Sequence, residues 1–319
     1  MNRIASTGIA LRVERKQTIA QAVAILDLAD ADGGLLPGAE PGAHVSLSLP
    51  NGLRRSYSLL NYGAVVERYT IAVALDERSR GGSRFIHESM DRGAVLETAL
   101  PRNDFQLVET AARSVFLAGG IGVTPLYAMA SRLAALGKPF AFHLAARSRD
   151  RAVFAAELAD LGDLYLHIDD EAAGRLLDMR AAVECEPAGT HFYCCGPAPM
   201  IAAFLAAVAD RPAELVHFER FSACGGKETD GSAFTVHLAR SGRLLQVDAG
   251  RSILEVVREA GIAVESSCED GVCGTCETRV IAGNIVHRDA ILTDREQAAG
   301  DSMIICVSRC GGGTLVLDL

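Results

Sequence analysis

Three cysteines share one short loop near the end of this 319-residue chain, and a fourth follows at a distance. Cys268, Cys273 and Cys276 lie in the stretch SSCEDGVCGTCET, and 29 residues separate Cys276 from Cys306. Because no apolar run precedes the first charges, we expect no signal peptide and a cytoplasmic, reducing environment. Clustered cysteines in that environment bind metal or take part in catalysis more often than they form disulfides. The fold must therefore bring four thiols to one point.

The spacing C-x4-C-x2-C with a distant fourth cysteine is typical of a plant-type ferredoxin domain that holds a [2Fe–2S] cluster. Gly271 and Gly274 would allow backbone N–H groups to approach the sulfurs. Structural zinc is the alternative, but zinc sites usually show two short cysteine pairs, or a cysteine pair with a histidine pair. Cys310 competes for the fourth position. The predicted metal ligands are Cys268, Cys273, Cys276 and Cys306.

Three segments of the chain differ in their residue patterns. Residues 1–107 contain short β-rich runs between glycine turns, which predicts an antiparallel β-barrel. Residues 108–222 alternate apolar strands with helices, which predicts a parallel sheet covered by helices on both faces. A glycine-rich run at 223–231 indicates a linker, and residues 232–319 carry the cysteine loop. We expect a multidomain protein with a barrel, an α/β domain and an α+β ferredoxin domain.

Two glycine turns in the α/β segment each follow a predicted strand and precede a predicted helix. They are GGIGVTP at 119–125 and CCGPAPM at 194–200. Glycines at such turns bring backbone N–H groups near a pyrophosphate, and ligands of parallel sheets bind at the carboxyl ends of the strands. The first turn is not the G-x-G-x-x-G fingerprint, so a purely structural turn remains an alternative. Cys195 is either a small buried residue or part of a nicotinamide pocket.

The barrel segment contains a second group of polar residues. RRSYSLLN places Arg55, Tyr57 and Ser58 on one strand, and a cation, a phenol and a hydroxyl suit a phosphate and an aromatic ring. RGGSRF at 80–85 adds glycine N–H groups and Ser83 before a predicted short helix, which suggests a second phosphate cradle. Taken alone, an exposed polar strand face explains the same pattern.

Together these motifs resemble one family over essentially the whole chain. It is the phthalate dioxygenase reductase-type flavin iron–sulfur oxidoreductases, which include the reductases of vanillate O-demethylase and phenoxybenzoate dioxygenase. The matching motifs are R-x-Y-S, G-G-x-G-x-T-P, C-G-P and the four cysteines, in the family's order. They fall at Arg55, Tyr57, Ser58, Gly119, Gly120, Gly122, Thr124, Pro125, Cys195, Gly196, Pro197, Cys268, Cys273, Cys276 and Cys306.

The resemblance implies FMN in the barrel, NADH in the α/β domain and a [2Fe–2S] cluster in the last domain. It implies catalytic roles for Ser58, Cys195 and Phe221, with Phe218 as the alternative aromatic that shields the flavin. The implied FMN-binding residues are Arg55, Ser56, Tyr57, Ser58, Gly81, Gly82 and Ser83. The implied nucleotide-binding residues are Gly119, Gly120, Gly122, Thr124, Pro125, Arg147, Ser148, Asp150, Cys195, Gly196 and Pro197.

The choice between NADH and NADPH depends on the stretch ARSRD, which follows a predicted strand. An acidic residue at that point binds the ribose of NAD, whereas an arginine accommodates the 2′-phosphate of NADP. Both kinds are present, since Arg147 and Arg149 stand beside Asp150. The resemblance favours NADH.

A nicotinamide gives up two electrons together, whereas a [2Fe–2S] cluster accepts one at a time, and a flavin between them can do both. The resemblance therefore implies electron transfer from NADH through FMN and the cluster to a Rieske-type terminal oxygenase acting on aromatic acids or ethers. One alternative is a stand-alone iron–sulfur carrier or redox sensor. Another is the reductase of a carnitine- or choline-type monooxygenase.

Charge narrows the range of partners. A net charge of −9 argues against nucleic acid, and no apolar run is long enough to span a membrane, so we expect neither partner. We also expect a monomer. The last 90 residues hold 13 acidic residues, eight arginines and no lysine, a net charge of −5. They form either a solvated acidic surface or a docking face for a basic partner. Glu269, Asp270 and Glu277 are candidate edges of that face.

Overall fold

The computed structural model describes residues 8–20, 22–76, 81–221 and 232–319, and the chain divides into two compact units, Met1–Glu219 and Arg220–Leu319. The predicted linker at 223–231 lies outside the described residues. The predicted boundary at residue 107 falls inside the first unit and stays a prediction. Within the described ranges, no helix has the length and apolar character needed to cross a membrane.

The first part of unit one is an antiparallel barrel with one short helix, as predicted. Its elements are β1 Ile9–Ile19, β2 Val23–Asp30, β3 Leu36–Ala39, β4 His44–Ser48, β5 Arg54–Ser58, β6 Gly63–Val66, β7 Arg68–Ala74, α1 Gly82–Glu88 and β8 Val95–Thr98. Six strands pair in the order β5-β4-β8-β1-β2-β7, and β3 pairs with β6. A bridge between Leu59 and Ile71 joins the two edge strands, so the barrel closes and the exposed sheet edges disappear.

The second part of unit one is a parallel sheet with helices on both faces, also as predicted. Its elements are β9 Ser114–Gly119, α2 Val123–Ala135, β10 Phe140–Ala146, α3 Ala155–Leu161, β11 Asp163–Ile168, α4 Met179–Glu184, β12 His191–Cys195, α5 Ala198–Ala207 and β13 Val216–Glu219. The strand order is β11-β10-β9-β12-β13. Because all five strands are parallel, their carboxyl ends lie at one edge, where ligands of such sheets bind.

Barrel and parallel sheet share one apolar core. Val23, Ile25 and Ala72 on outward faces of β2 and β7 pack with Phe116 of β9 and Leu126 of α2. This is why seven of the eight β2 residues are buried, although a barrel strand usually has only one buried face. The shared core holds the barrel residues and the nucleotide-type turns in one compact unit.

Unit two is an α+β domain built around a five-stranded sheet. Its elements are β14 Phe234–Leu238, β15 Arg243–Val247, α6 Ile253–Glu259, β16 Glu277–Ala282, β17 Ile285–Val286, α7 Asp294–Ala299, β18 Ser302–Ile304, β19 Arg309–Cys310 and β20 Thr314–Leu317. The sheet order is β15-β14-β20-β16-β18. Ser252 begins α6 in a reciprocal capping box with Glu255, and Ile253, Leu254 and Val257 bury the helix against the sheet core. The cysteine loop joins α6 to β16.

Candidate functional site

The four predicted cysteine ligands meet in unit two as two hydrogen-bonded pairs. Cys268 pairs with Cys273, and Cys276 pairs with Cys306. All but the half-buried Cys273 are buried. A cluster of two irons needs two such pairs, because four thiolates are divided between its irons. The arrangement therefore fits a [2Fe–2S] cluster better than the zinc alternative.

Shared protons set the pKa values of these thiols. The hydrogen bond with Cys268 lowers the pKa of Cys273 to about 5, and the bond with Cys306 lowers the pKa of Cys276. The same bonds, and then burial, raise the pKa values of Cys268 and Cys306. The lowered pKa values favour the thiolate form of Cys273 and Cys276, which is the form that binds metal. Cys310, the competing fourth ligand, instead donates to the Gly312 carbonyl oxygen at 3.2 Å.

Backbone N–H groups of the loop point at the sulfurs. The Asp270 N–H donates to Cys268 Sγ at 3.3 Å, and the Gly271 backbone bonds to Cys306. Gly271 and Gly274 have φ values of 74° and 71°, which L side chains rarely adopt. N–H···S bonds favour the more negative state of a thiolate site. The expected N–H approach is confirmed for Gly271, whereas Gly274 provides the turn into β16.

Arg258 of α6 fixes the first part of the cysteine loop. Its Nη1 donates to Glu269 Oε1 at 2.6 Å, and its Nη2 donates to the Ser266 hydroxyl. Glu269 has a φ of 56° and directly follows Cys268, so the clamp holds a strained turn beside a predicted ligand.

Two carboxylates of the expected docking face have partners within unit two. The Glu269 side chain is only 18% exposed and is paired with Arg258. Glu277 accepts a hydrogen bond from the Ser302 hydroxyl at 2.6 Å. Both carboxylates thus have a partner within the chain, and the expectation that they lie at the edge of a docking face stays a prediction. Neither the hydrophobic periodicity nor the composition of the sequence could reveal that Glu269 pairs with an arginine of the preceding helix.

In the barrel, the structure brings Arg55 to the Gly81–Gly82–Ser83 turn. A Cβ atom at Gly82 would lie 2.9 Å from Arg55 Cγ, so only glycine leaves room for the guanidinium stem. Ser83 Oγ accepts from the Asp76 N–H at 3.2 Å. The two halves of the predicted phosphate cradle therefore adjoin each other.

The other predicted barrel residues continue along β5. Burial raises the pKa of Tyr57, and the positive charge of Arg55 opposes that shift only in part, so the phenol keeps its proton. Ser58 is buried and lies opposite His44 on β4. Ser56 is used differently, since its hydroxyl bonds across the strands to Ser46 at 2.9 Å. The phenol and the Ser58 hydroxyl remain the polar groups of this strand suited to an aromatic ligand.

The two glycine turns of the parallel sheet touch each other. A Cβ atom at Gly122 would lie 2.3 Å from the Cys195 carbonyl oxygen, and one at Gly119 would lie 2.8 Å from Pro197 Cδ. Gly196 in turn approaches the Gly119 backbone. Glycine is therefore required for close packing of the neighbouring β9 and β12 ends, and Gly120, with a φ of 54°, turns the chain between them. Thr124 and Pro125 are buried in the first turn of α2, where the Thr124 hydroxyl donates to the Ile121 carbonyl at 3.0 Å.

Cys195 and Glu219 lie side by side at the ends of β12 and β13. Cys195 is fully buried, and burial raises the pKa of its thiol. Burial, and then the charge of Asp104, raises the pKa of Glu219 to about 8, and its buried Oε2 has no hydrogen-bond partner. Sequence reasoning missed Glu219. Its only signal was an acidic residue inside the apolar run VHFERF.

The residues after β10 form a compact polar group at the same sheet edge. The Ser148 hydroxyl donates to Asp150 Oδ1 at 2.5 Å. Arg149 pairs with Glu171, which comes from the loop after β11.

Phe218 and Phe221 are 37% and 38% exposed, so each can present an aromatic ring. Phe221 belongs to unit two, and its predicted role at the flavin stays a prediction.

Known proteins resemble the chain over its full length. Residues 236–311 match the 2Fe-2S iron-sulfur cluster binding domain family. The chain is 47% identical over 313 residues to phenoxybenzoate dioxygenase subunit beta of Ectopseudomonas oleovorans, covering 98% of this chain and 97% of the relative. It is 43% identical over 317 residues to tetrachlorobenzoquinone reductase of Sphingobium chlorophenolicum, with 98% of each covered. The solved structure of phthalate dioxygenase reductase, described as modular for electron transfer from pyridine nucleotides to [2Fe–2S], matches with a TM-score of 0.87, 38% identity and 98% of each chain covered.

The contacts of Arg258 with the cysteine loop predict that a variant without this arginine loses iron faster than a variant altered elsewhere in unit two. In R258Q, both guanidinium bonds are lost and Glu269 is left without its cation, so iron should leave severalfold faster, because a solvent-screened pair such as this one contributes about 1 kcal/mol. Iron content and visible absorbance under a chelator measure this. R240Q, which breaks the exposed Arg240–Asp318 pair in the same unit, is the control. Equal iron retention in the two variants would contradict the clamp.

The Glu219 carboxyl predicts a pH-dependent difference in stability. Its folded-state pKa of about 8 exceeds the ordinary value of 4.5, so the folded protein retains a proton that the unfolded chain releases. The stability contributed by this retained proton is fully present below pH 4.5 and is lost as the pH rises through 8. E219Q should therefore gain stability relative to the parent between pH 5 and 8, measured as urea midpoints. A constant difference across that range, as expected for the exposed E157Q control, would rule out the titration.

Proposed function

Because the chain belongs to the family of phthalate dioxygenase reductase-type oxidoreductases, we propose that it passes electrons from NADH through FMN and a [2Fe–2S] cluster to a Rieske-type terminal oxygenase. The observation that carries this proposal is the convergence of four thiols as two pairs in unit two, while unit one supplies nucleotide-type sites. We assign residues 1–107 to FMN, 108–222 to the nucleotide and 232–319 to the cluster, with 223–231 as their linker. A bound flavin would accept electrons from a nicotinamide as a pair and release them singly.

The barrel residues bind and orient the flavin. Arg55 and the adjoining 81–83 turn suit a phosphate, because a guanidinium and glycine N–H groups supply charge-assisted bonds. Tyr57 retains its proton, so it offers an O–H donor as well as an aromatic face. Ser58, buried beside it, offers a hydroxyl to a ring edge.

The carboxyl edge of the parallel sheet binds the nicotinamide nucleotide. The glycine turns at 119–122 and 195–197 touch each other, and a Cβ atom at Gly120 would meet nothing within 4 Å, which leaves room for a ligand beside the backbone N–H groups of the first turn. Cys195 contributes a neutral thiol, and Glu219 contributes a carboxyl that is largely protonated at neutral pH. These groups exclude water without placing a net negative charge beside the nicotinamide. Phe221, or Phe218 in its place, would cover the flavin when no nucleotide is bound.

The electron acceptor is an oxygenase component in this proposal. Support comes from phenoxybenzoate dioxygenase subunit beta and phthalate dioxygenase reductase, which both match at full length. A quinone is the second candidate acceptor, because tetrachlorobenzoquinone reductase matches at 43% identity. We propose a cytoplasmic monomer that binds neither nucleic acid nor membrane.

C273S tests the proposed electron route. Loss of one thiolate should leave NADH-dependent ferricyanide reduction largely intact, because ferricyanide takes electrons from the flavin, and should abolish reduction of cytochrome c or of an oxygenase. C310S is the matched control, since Cys310 bonds to Gly312 and should keep its iron. Survival of both activities in C273S would refute the route. Quinone reduction that persists in C273S would identify the flavin as the donor to that acceptor.

A further inference from the structure

Arg149 and Glu171 form a two-bond ion pair at the carboxyl edge of the parallel sheet. Arg149 Nε donates to Glu171 Oε1 at 2.5 Å, and Arg149 Nη2 donates to Glu171 Oε2 at 2.8 Å. Backbone bonds tie their loops together, from the Asp169 N–H to the Ala146 carbonyl and from the Asp170 N–H to the Arg147 carbonyl, both at 3.0 Å. Glu171 is therefore held opposite Arg149 by the paired ends of β10 and β11.

This position determines how the adenosine ribose of a dinucleotide is recognised. A carboxylate after such a strand accepts from the ribose 2′-hydroxyl, whereas an arginine there binds a 2′-phosphate. The chain carries both groups. The Ser148 hydroxyl orients Asp150, and Arg149 makes two hydrogen bonds with Glu171. A guanidinium fork that serves one carboxylate bidentately cannot serve a phosphate in the same way.

We propose that Glu171 is a specificity-determining residue that withholds Arg149 from the 2′-phosphate and thereby selects NADH over NADPH. This inference rests on the proposed function, because it concerns the nucleotide bound at that edge. Asp150 remains available for the ribose hydroxyl, since a carboxylate held by one serine retains further acceptor positions. The discrimination thus comes from a carboxylate on the neighbouring loop rather than from the ARSRD stretch alone.

The ion pair is suited to specificity rather than to stability. The Arg149 and Glu171 side chains are 69% and 51% exposed, and exposed pairs usually contribute about 0–1 kcal/mol to folding. Removing Glu171 should therefore leave the fold intact. It would free the guanidinium and remove one negative charge from the approach of a 2′-phosphate.

Neighbouring charges supply the competing explanation. Arg147 precedes Ser148 on the same loop and is exposed, so it is the other candidate for a 2′-phosphate. On the facing loop, the Asp169 carboxylate lies 3.5 Å from His167 Nε2. Variants of Arg147 and Arg149 can therefore be separated experimentally.

The test is E171Q in the full chain loaded with flavin and cluster. We expect kcat/KM for NADPH to rise about tenfold, mainly through KM, which corresponds to roughly one charge-assisted bond. The value for NADH should change less than about twofold, since no contact to a 2′-hydroxyl is removed. Calorimetric titration gives a readout independent of turnover: 2′,5′-ADP should bind about tenfold more tightly, and 5′-AMP should bind as before.

Two further variants make the result decisive. D318N breaks the bidentate Arg240–Asp318 pair in unit two and should leave both nucleotide preferences unchanged. R149Q/E171Q should lose the gain. An E171Q protein that binds 2′,5′-ADP no better than the parent overturns the inference, as does a gain that survives R149Q/E171Q, because Arg147 would then be the phosphate receptor. Those results leave the proposed function intact, provided that NADH still reduces the parent's flavin. A parent flavin that neither nucleotide reduces would overturn the proposed function itself.

Discussion

Convergence of four sulfur atoms as two pairs is the constraint around which unit two is built. Three of the thiols come from one loop, so that loop must turn sharply, and it does so through left-handed backbone at Glu269, Gly271 and Gly274. Such turns are costly for a residue with a side chain, and Arg258 compensates by holding Glu269 to α6. The fourth thiol arrives on Cys306, beside the buried end of β18. The strands of the sheet thus bring Cys306 back to the loop that carries the other three cysteines.

Unit one meets a different constraint, which is close approach of backbones. The ends of β9 and β12 can lie against each other only because Gly119, Gly122 and Gly196 lack a Cβ atom. The apolar core shared by β2, β7, β9 and α2 then fixes the barrel against this edge. Residues far apart in sequence, such as Arg55 and Cys195, consequently belong to one compact unit.

Features encoded by short-range patterns could be predicted from the sequence. The cysteine spacing, the glycine turns and the switch from period-two strands to alternating strands and helices led to the three folds that the structure contains. Contacts between distant segments could not be predicted. Burial, and then the charge of Asp104, raises the pKa of Glu219, and Glu171 meets Arg149 across two loops, so neither residue stood out in the linear pattern. The pairing of Glu269 with Arg258 was missed for the same reason, because Arg258 lies on a helix that the charge count does not locate.

The central claim is that electrons entering from NADH reach the four-cysteine site through the flavin. Anaerobic titration of the intact protein with NADH, followed by optical and electron paramagnetic resonance spectra, tests this claim most directly. The account predicts that the flavin absorbance bleaches and that the resonance signal of a reduced [2Fe–2S] cluster then grows to a full complement per chain. Bleaching of the flavin with no cluster signal, at any excess of NADH, would contradict it.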